Sequence, residues 1–253
     1  MNGRSVNKIR VGALQRTLTM IPPGCPGCQH LTIGRIIGEV LEDLDIDGKA
    51  IAVTGIGDHS TIGVLNVDTI QGSHGGATDM ATAIKRLLPD TPVYTVQGDG
   101  DCLAIGAGSF LGALSRGELI TIILCNNGNY GSTGGQLAPT TPMGQKTPTT
   151  PQGRSAASGG YPIGAAELAA TFRGVAYSAR GALLDPRGYQ RTKGMVRKAF
   201  QKQIAAAGLS FVEILSACPA NWHLSPVESL KWIEEQMIPE FPLGEFKNVE
   251  RAG

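Results

Sequence analysis

Residues 92–129 read PVYTVQGDGDCLAIGAGSFLGALSRGELITIILCNNGN, and the order of elements they predict sets the fold class. The run 92–97 (PVYTVQ) is rich in β-formers and closed by glycines, so it reads as a short buried strand. Asp99, between Gly98 and Gly100, then stands where a strand gives way to a helix, the place where open α/β sheets receive ligands. Segment 102–114 (CLAIGAGSFLGAL) is apolar with many small residues, which predicts a helix packed closely on a sheet. The run 119–125 (LITIILC) predicts a second buried strand, with Asn126, Asn127, Gly128 and Asn129 just past its C-terminal end. Two adjacent parallel strands would then deliver a carboxylate and amide oxygens to one crevice. Hard oxygen donors of that kind suit Mg2+, whose octahedral shell is commonly completed by substrate phosphates.

This spacing resembles the thiamine-diphosphate signature, a Gly-Asp-Gly followed by Asn-Asn at the end of the next strand, with Asp99 and Asn127 28 residues apart. The resemblance implies that Asp99, the Asn127 side chain and the Asn129 backbone carbonyl hold a Mg2+ that bridges the diphosphate. It also places Gly98, Gly100 and Asp101 at the cofactor. Two ordinary βα loops that carry turn residues are the alternative.

Around this block the chain alternates strand and helix. Segment 50–54 (AIAVT) predicts a strand, followed by Gly55-Ile56-Gly57-Asp58-His59-Ser60. Gln71-Gly72-Ser73-His74-Gly75-Gly76 opens a helix expected over 77–88. Glycines ahead of a helix N-terminus offer N–H groups and a positive dipole end to a phosphate. The piece resembles the Gly-Ser-Met-Gly turn of thiamine-diphosphate enzymes, with His74 in place of Met, and a generic α/β turn is the alternative. Upstream, Cys25-Pro26-Gly27-Cys28-Gln29-His30 precedes Ile33, Ile36, Ile37, Val40, Leu41 and Leu44 at helical spacing. Downstream, 130–161 has no periodicity, and its centre, 139–151, holds four prolines and five threonines. A loop this long beside the site reads as a structured active-site or subunit-contact loop, with a surface excursion as the alternative. Then come a short helix near 165–171, a strand 174–179, a long basic helix within 186–206 and a strand 209–215 (LSFVEIL) before Ser216-Ala217-Cys218-Pro219. A final helix over 226–237, capped by Ser225, carries Val227, Leu230, Ile233 and Met237 on one stripe. Five strands alternating with helices predict a doubly wound, mostly parallel α/β sheet. Residues 1–24 read as an N-terminal arm and 25–253 as one domain.

Composition narrows the function classes. The 253 residues can bury a sizeable core, and a net charge of +1 suggests neither a nucleic-acid nor a membrane surface. Few aromatics argue against a stacking platform for single strands. There is no run of 18 apolar residues and no apolar leader core, so the chain is expected in the cytoplasm. Five cysteines, two of them as Cys-Pro-Gly-Cys, fit metal or redox chemistry in a reducing compartment better than a disulfide frame.

CPGCQH, the GDGD…CNNGNYGSTGGQ block and Ser-Ala-Cys-Pro occur in this order in one family, so the chain resembles the β-type, thiamine-diphosphate-binding subunit of a 2-oxoacid:ferredoxin oxidoreductase. The branched-chain (2-oxoisovalerate) and 2-oxoglutarate members are the nearest in pattern, on 133–136 (TGGQ) and 144–147 (GQKT). The resemblance implies the thiamine-diphosphate fold, oxidative decarboxylation of a 2-oxoacid to acyl-CoA and CO2, and electrons passed to ferredoxin. It implies thiamine diphosphate, Mg2+ and a [4Fe–4S] cluster as cofactors. Gly72, Ser73 and His74 would lie near the diphosphate, Gly131 at the cofactor, and Thr133 with Gly134 toward the substrate, with His74 and Thr133 as catalytic candidates. His74 as a satisfied structural histidine is the alternative, and His30, His59 and His223 are expected to be structural or solvent-facing. The glutamate that activates the cofactor would come from a partner α-type subunit, with γ-type and ferredoxin-like subunits completing the complex.

Cys25, Cys28 and Cys218 occupy three of the family's cluster-ligand positions, and thiolates are the usual set for such clusters. The fourth cysteine of the family pattern is replaced here by Asp58. Asp58 at the odd corner is favoured; a three-iron cluster, ligation by His59, or a lost cluster with a residual zinc half-site stay open. Cys102 and Cys125 fall on apolar elements and are expected to be core thiols. Three rivals remain. A non-redox thiamine-diphosphate decarboxylase or synthase would lack iron, and a non-catalytic metal-binding interaction subunit would lack the cofactor. A nicotinamide-binding protein would need a third glycine at the dinucleotide spacing, which is missing after Gly98-Asp99-Gly100.

Overall fold

The strand that carries the paired asparagines lies at the centre of the sheet and is buried on both faces. Ile122 and Leu124 point into one apolar cluster, and Ile123 and Cys125 into the other. That period-two alternation with no polar face is what a parallel sheet covered by helices on both sides requires. A computed structural model describes residues 24–57 and 65–252. In chain order it places α1 (His30–Asp43), β1 (Ile51–Thr54), β2 (Asp68–Gln71), α2 (Ala77–Leu87) and β3 (Val93–Gly98). A π-helical turn, Asp101–Ile105, leads into α3 (Ala107–Arg116) and β4 (Thr121–Asn126). The last part holds α4 (Ala156–Gly159), α5 (Ala165–Ala170), β5 (Val175–Ala182), α6 (Pro186–Ile204), β6 (Leu209–Leu215), α7 (Pro219–Trp222), α8 (Pro226–Trp232) and β7 (Gly244–Asn248).

The strands form one sheet in the order β2-β1-β3-β4-β6-β5-β7, all parallel except β7, which runs antiparallel to β5. One face packs Ile33, Ile36, Ile37 and Val40 of α1 and Val196, Ala199 and Phe200 of α6 on Tyr94, Val96 and Ile123. The other packs Ala77 and Ala81 of α2, Phe110 and Leu114 of α3 and Ala165 of α5 on Val93, Ile122 and Phe211. The doubly wound expectation therefore holds. Local signals fix the helix starts. Asp185 accepts from Gly188 N (2.5 Å) ahead of Pro186 in α6, and Ser225 and Glu228 form a reciprocal capping box at α8. No helix among the described residues is long and apolar enough to cross a membrane.

Three expectations need correction. The sheet has seven strands, because β2 and β7 escape a hydrophobicity reading: all four residues of β2 are exposed, and β7 is an edge strand with Phe246 as its apolar residue. Segment 102–114 is not one helix. Gly106 N–H donates to Asp101 O, five residues back, at 2.8 Å, and α3 begins after that bulge. The loop before α2 presses into it, since a Cβ on Gly106 would lie 2.6 Å from Gly75 O. Finally, Val227 is 76 % exposed and leaves the stripe on which Ile233 and Met237 are buried, because six α-helical residues put it about 120° round the helix from Ile233.

Candidate functional site

The C-terminal ends of β1, β3 and β4 lie side by side, with Thr54 paired to Val96 and Gly98 to Cys125. β1 has β2 on one side and β3 on the other, so the chain reverses its travel across the sheet there. That is the switch point where such folds open a crevice. A cavity of about 130 Å3 occupies it, lined by His74, Gly98, Asp99, Gly100, Asp101, Asn127, Asn129, Tyr130, Gly131 and Thr133 among others. Nine of the twelve residues expected at the cofactor thus converge. Gly72 and the exposed Ser73 are not part of this lining; Gly76 N–H donates to Ser73 O to form the turn into α2. Gly134 opens instead onto a neighbouring cavity.

Asp99 is 1 % exposed. One carboxylate oxygen accepts the Gly100 N–H at 3.0 Å and the other accepts the Thr140 hydroxyl. Burial pushes this carboxyl up to about 7, against the pull of those hydrogen bonds. Among the described residues, no cationic side chain is one of its hydrogen-bond partners, which is the environment a divalent cation would relieve. Past β4, Asn126 Oδ1 accepts from Gly128 N (3.0 Å) and Asn127 Oδ1 from Asn129 N (3.2 Å). Gly128, at φ 64°, turns the chain so that both asparagine oxygens are held locally. Asn126 Nδ2 in turn donates to Glu213 Oε1 at 2.7 Å. Glu213 is bound by Arg180 Nε at 2.8 Å, and that guanidinium lies between the rings of Phe241 and Phe246 and also binds Glu167. A fully buried ion pair thus backs the loop that presents Asn127.

Asp101 ties three loops together. Its Oδ1 accepts from Gly75 N (2.8 Å), Ile56 N (3.3 Å) and His74 Nδ1 (2.5 Å), and its Oδ2 accepts from Gln97 Nε2 (2.7 Å). Asp101 Oδ1 takes the His74 Nδ1 contact, which orients the ring and turns Nε2 away from Asp101. Gly100 is required by close approach, because a Cβ there would lie 2.3 Å from the Tyr130 ring.

The aperiodic segment 130–161 is built around Arg154. Its guanidinium donates to the carbonyls of Ala138, Pro139, Thr141, Gly159, Gly160 and Tyr161 at 2.6–3.2 Å. This fold-back delivers the Thr140 hydroxyl to Asp99 and the Thr141 hydroxyl to Gly128 O at 2.7 Å. Thr133 is exposed, and its hydroxyl is turned onto Gln136 Oε1 at 2.6 Å. Sequence reasoning missed Thr140, Arg154, Gln97 and Tyr130. The one available signal was the density of prolines and threonines in 139–151.

Cys25, Cys28 and Cys218 line a second cavity of about 600 Å3, which shares His30, Asn127, Gly131 and Ser132 with the first. Gln29 bolts the Cys-Pro-Gly-Cys turn to the sheet, donating to Leu183 O (2.6 Å) and accepting from Ala217 N (2.9 Å), beside Cys218. Among the described residues no group of three His, Cys, Asp or Glu is spaced to chelate one metal ion. Three soft sulfur donors around one cavity would suit an iron–sulfur cluster, to which they would supply thiolate ligands. Asp58 and His59 lie outside the described residues. Cys102 and Cys125 are fully buried and burial raises both thiols, as expected of core cysteines. His30 is buried and lines both cavities, whereas His223 is exposed at the end of α7.

Residues 55–214 match the family described as thiamine pyrophosphate enzyme, C-terminal TPP binding domain. The ketoisovalerate oxidoreductase subunit VorA of Methanothermobacter thermautotrophicus is 34 % identical over 88 % of this chain and 47 % of its own length. The chain therefore spans about half the length of that relative. The 2-oxoglutarate synthase subunit KorB of Archaeoglobus fulgidus is 36 % identical over 83 % of this chain and 75 % of its own. The 2-oxoacid:ferredoxin oxidoreductase subunit beta of Saccharolobus solfataricus is 33 % identical over 77 % and 61 %. In fold, the chain superposes on a 2-oxoglutarate:ferredoxin oxidoreductase from Magnetococcus marinus with a TM-score of 0.75, at 23 % identity over 96 % of this chain and 87 % of that one. The glycine turns, the buried Asp99 and the asparagine loop thus fall inside a matched thiamine pyrophosphate domain, and the chain belongs to the family of thiamine-pyrophosphate-binding β-type subunits of the 2-oxoacid:ferredoxin oxidoreductases.

Proposed function

We propose that this chain, as one domain over residues 25–253, binds thiamine diphosphate with Mg2+ and an iron–sulfur cluster within a 2-oxoacid:ferredoxin oxidoreductase. The overall reaction would convert a 2-oxoacid, coenzyme A and two oxidised ferredoxins to an acyl-CoA, CO2, two reduced ferredoxins and a proton. The observation that carries this reading is Asp99, a buried carboxylate with no cationic partner among the described residues, set beside Asn127 and Asn129 at the switch point.

Asp99, the Asn127 side chain and the Asn129 carbonyl would hold the Mg2+, with the diphosphate on the Gly75 side of the crevice. Thiamine diphosphate, when bound, supplies the stabilised carbanion that carbon–carbon cleavage next to a ketone needs. His74, oriented through Nδ1 by Asp101, keeps Nε2 available to hold a proton at the mouth of the cavity. Tyr130 walls one side and, with the Arg154-braced loop, keeps water from the buried carboxylate. Cys25, Cys28 and Cys218 would hold three corners of the cluster and Asp58 the fourth. An α-type partner would complete the active site, with γ-type and ferredoxin-like subunits beyond it.

Iron and acid-labile sulfide per chain, with electron paramagnetic resonance of the anaerobic complex, test the redox half. A reducible four-iron signal supports the reading, and a three-iron signal means that Asp58 does not hold the fourth iron. No iron with thiamine diphosphate still bound would convert the assignment to a non-redox decarboxylase. Calorimetry with and without a chelator tests the other half, and Mg2+-independent binding of thiamine diphosphate would sink the role given to Asp99.

A further inference from the structure

Asn221 lines the second cavity, on α7 just after Cys218 and Pro219. Its Nδ2 lies 3.3 Å from Cys218 Sγ, 2.9 Å from Gly131 O and 3.5 Å from Asn129 Oδ1. An amide nitrogen carries two protons. The Gly131 carbonyl takes one at good hydrogen-bond length, which directs the other toward the sulfur. Space for this arrangement comes from Gly135, where a Cβ would meet Asn221 Cβ at 2.9 Å and where φ is 87°. The sulfur is fixed from behind, since Gln29 holds Ala217 N and carries Cys28 on the same strap.

We infer that Asn221 is a positioning residue that donates an N–H to the Cys218 thiolate and so raises the reduction potential of the cluster held there. The same side chain couples that sulfur to the loop bearing Asn129. The inference rests on the iron–sulfur reading above. A thiolate bound to iron gains electron density when the cluster is reduced, and a donor aimed at it stabilises the reduced form more than the oxidised one.

The test is a potentiometric titration of the whole anaerobic complex, followed by electron paramagnetic resonance, for wild type, Asn221→Leu and Asn221→Asp. The signal belonging to this chain is the one that Cys218→Ala removes or alters. Leu removes the donor, and Asp replaces it with negative charge. The reduced-to-oxidised ratio at a fixed poise is expected to fall about tenfold in Asn221→Leu and further in Asn221→Asp, the size expected of one hydrogen bond to a charged group. Unchanged potentials on fully loaded clusters would overturn the inference alone. A wild-type complex with no iron in this chain would overturn the iron–sulfur reading as well. Should both variants fail to take up iron, pulsed resonance on wild type grown with 15N-asparagine decides. A 15N coupling to the reduced cluster supports the bond, and its absence overturns it.

Discussion

Asp99→Asn should make the cofactor-free protein more stable while removing a ligand of the proposed Mg2+ site. Asp99 is fully buried, and desolvation lifts its carboxyl from an ordinary 3.8 to about 7. Because the folded value lies above the unfolded one, the stability due to the protonated form is complete below 3.8 and is lost as pH rises through about 7. That interval, at about 1.4 kcal/mol per pH unit, amounts to roughly 4 kcal/mol in alkaline solution. Asparagine keeps the shape. Its oxygen can accept from Gly100 N–H, and its amide can donate to the Thr140 hydroxyl, which has lone pairs to spare. Urea unfolding of chelator-treated protein should therefore show the variant more stable by about 2–4 kcal/mol near pH 8 and level with wild type near pH 4. Added Mg2+ and thiamine diphosphate should reverse the order near pH 8, since only wild type gains by mass action. Equal stability near pH 8 in the absence of ligand would mean that Asp99 is not held charged against its surroundings, and would refute the reasoning.

Arg154→Ala should free six carbonyls at once and destabilise the protein by about 3–5 kcal/mol; limited proteolysis should then cut within 139–161, where wild type resists. Gly106→Ala places a methyl 2.6 Å from Gly75 O and should cost about 3 kcal/mol, read as a lower urea midpoint with an unchanged slope. Arg180→Ala strands Glu213, whose carboxyl burial already pushes up, beside Glu167. Losing the counter-charge raises the folded value further, so the loss should be small in acid and grow to about 3–5 kcal/mol as pH rises past neutral, followed by thermal melts across pH.

The sheet was legible wherever hydrophobic periodicity and tertiary burial agree. The runs that became β1, β3, β4, β5 and β6 were all visible because interior parallel strands are apolar on both faces. β2 and β7 were not, since edge strands are held by backbone pairing that leaves little trace in side-chain composition. Asp99 and Asn127 could be picked out because their residue types and spacing were distinctive, and the structure brings both to one cavity. Thr140 and Arg154 could not, because their roles depend on a fold-back of an aperiodic segment. The π-helical turn after Gly100 was hidden for a related reason: it packs against Gly75, which is 31 positions from Gly106 in sequence and in contact only after folding.

Asp101 gives the crevice at the ends of β1 and β3 a property that no single loop has. Its carboxylate is the shared anchor for the backbone after β1, the turn before α2 and the end of β3. These segments are therefore not modules that can be exchanged one at a time. A loop transplanted from a relative would arrive without its half of the anchor, leaving a buried charge short of donors and disturbing the other two. Engineering of cofactor or substrate preference here has to move the three loops as a set, or confine itself to Tyr130 and the residues beyond it, which Asp101 does not hold.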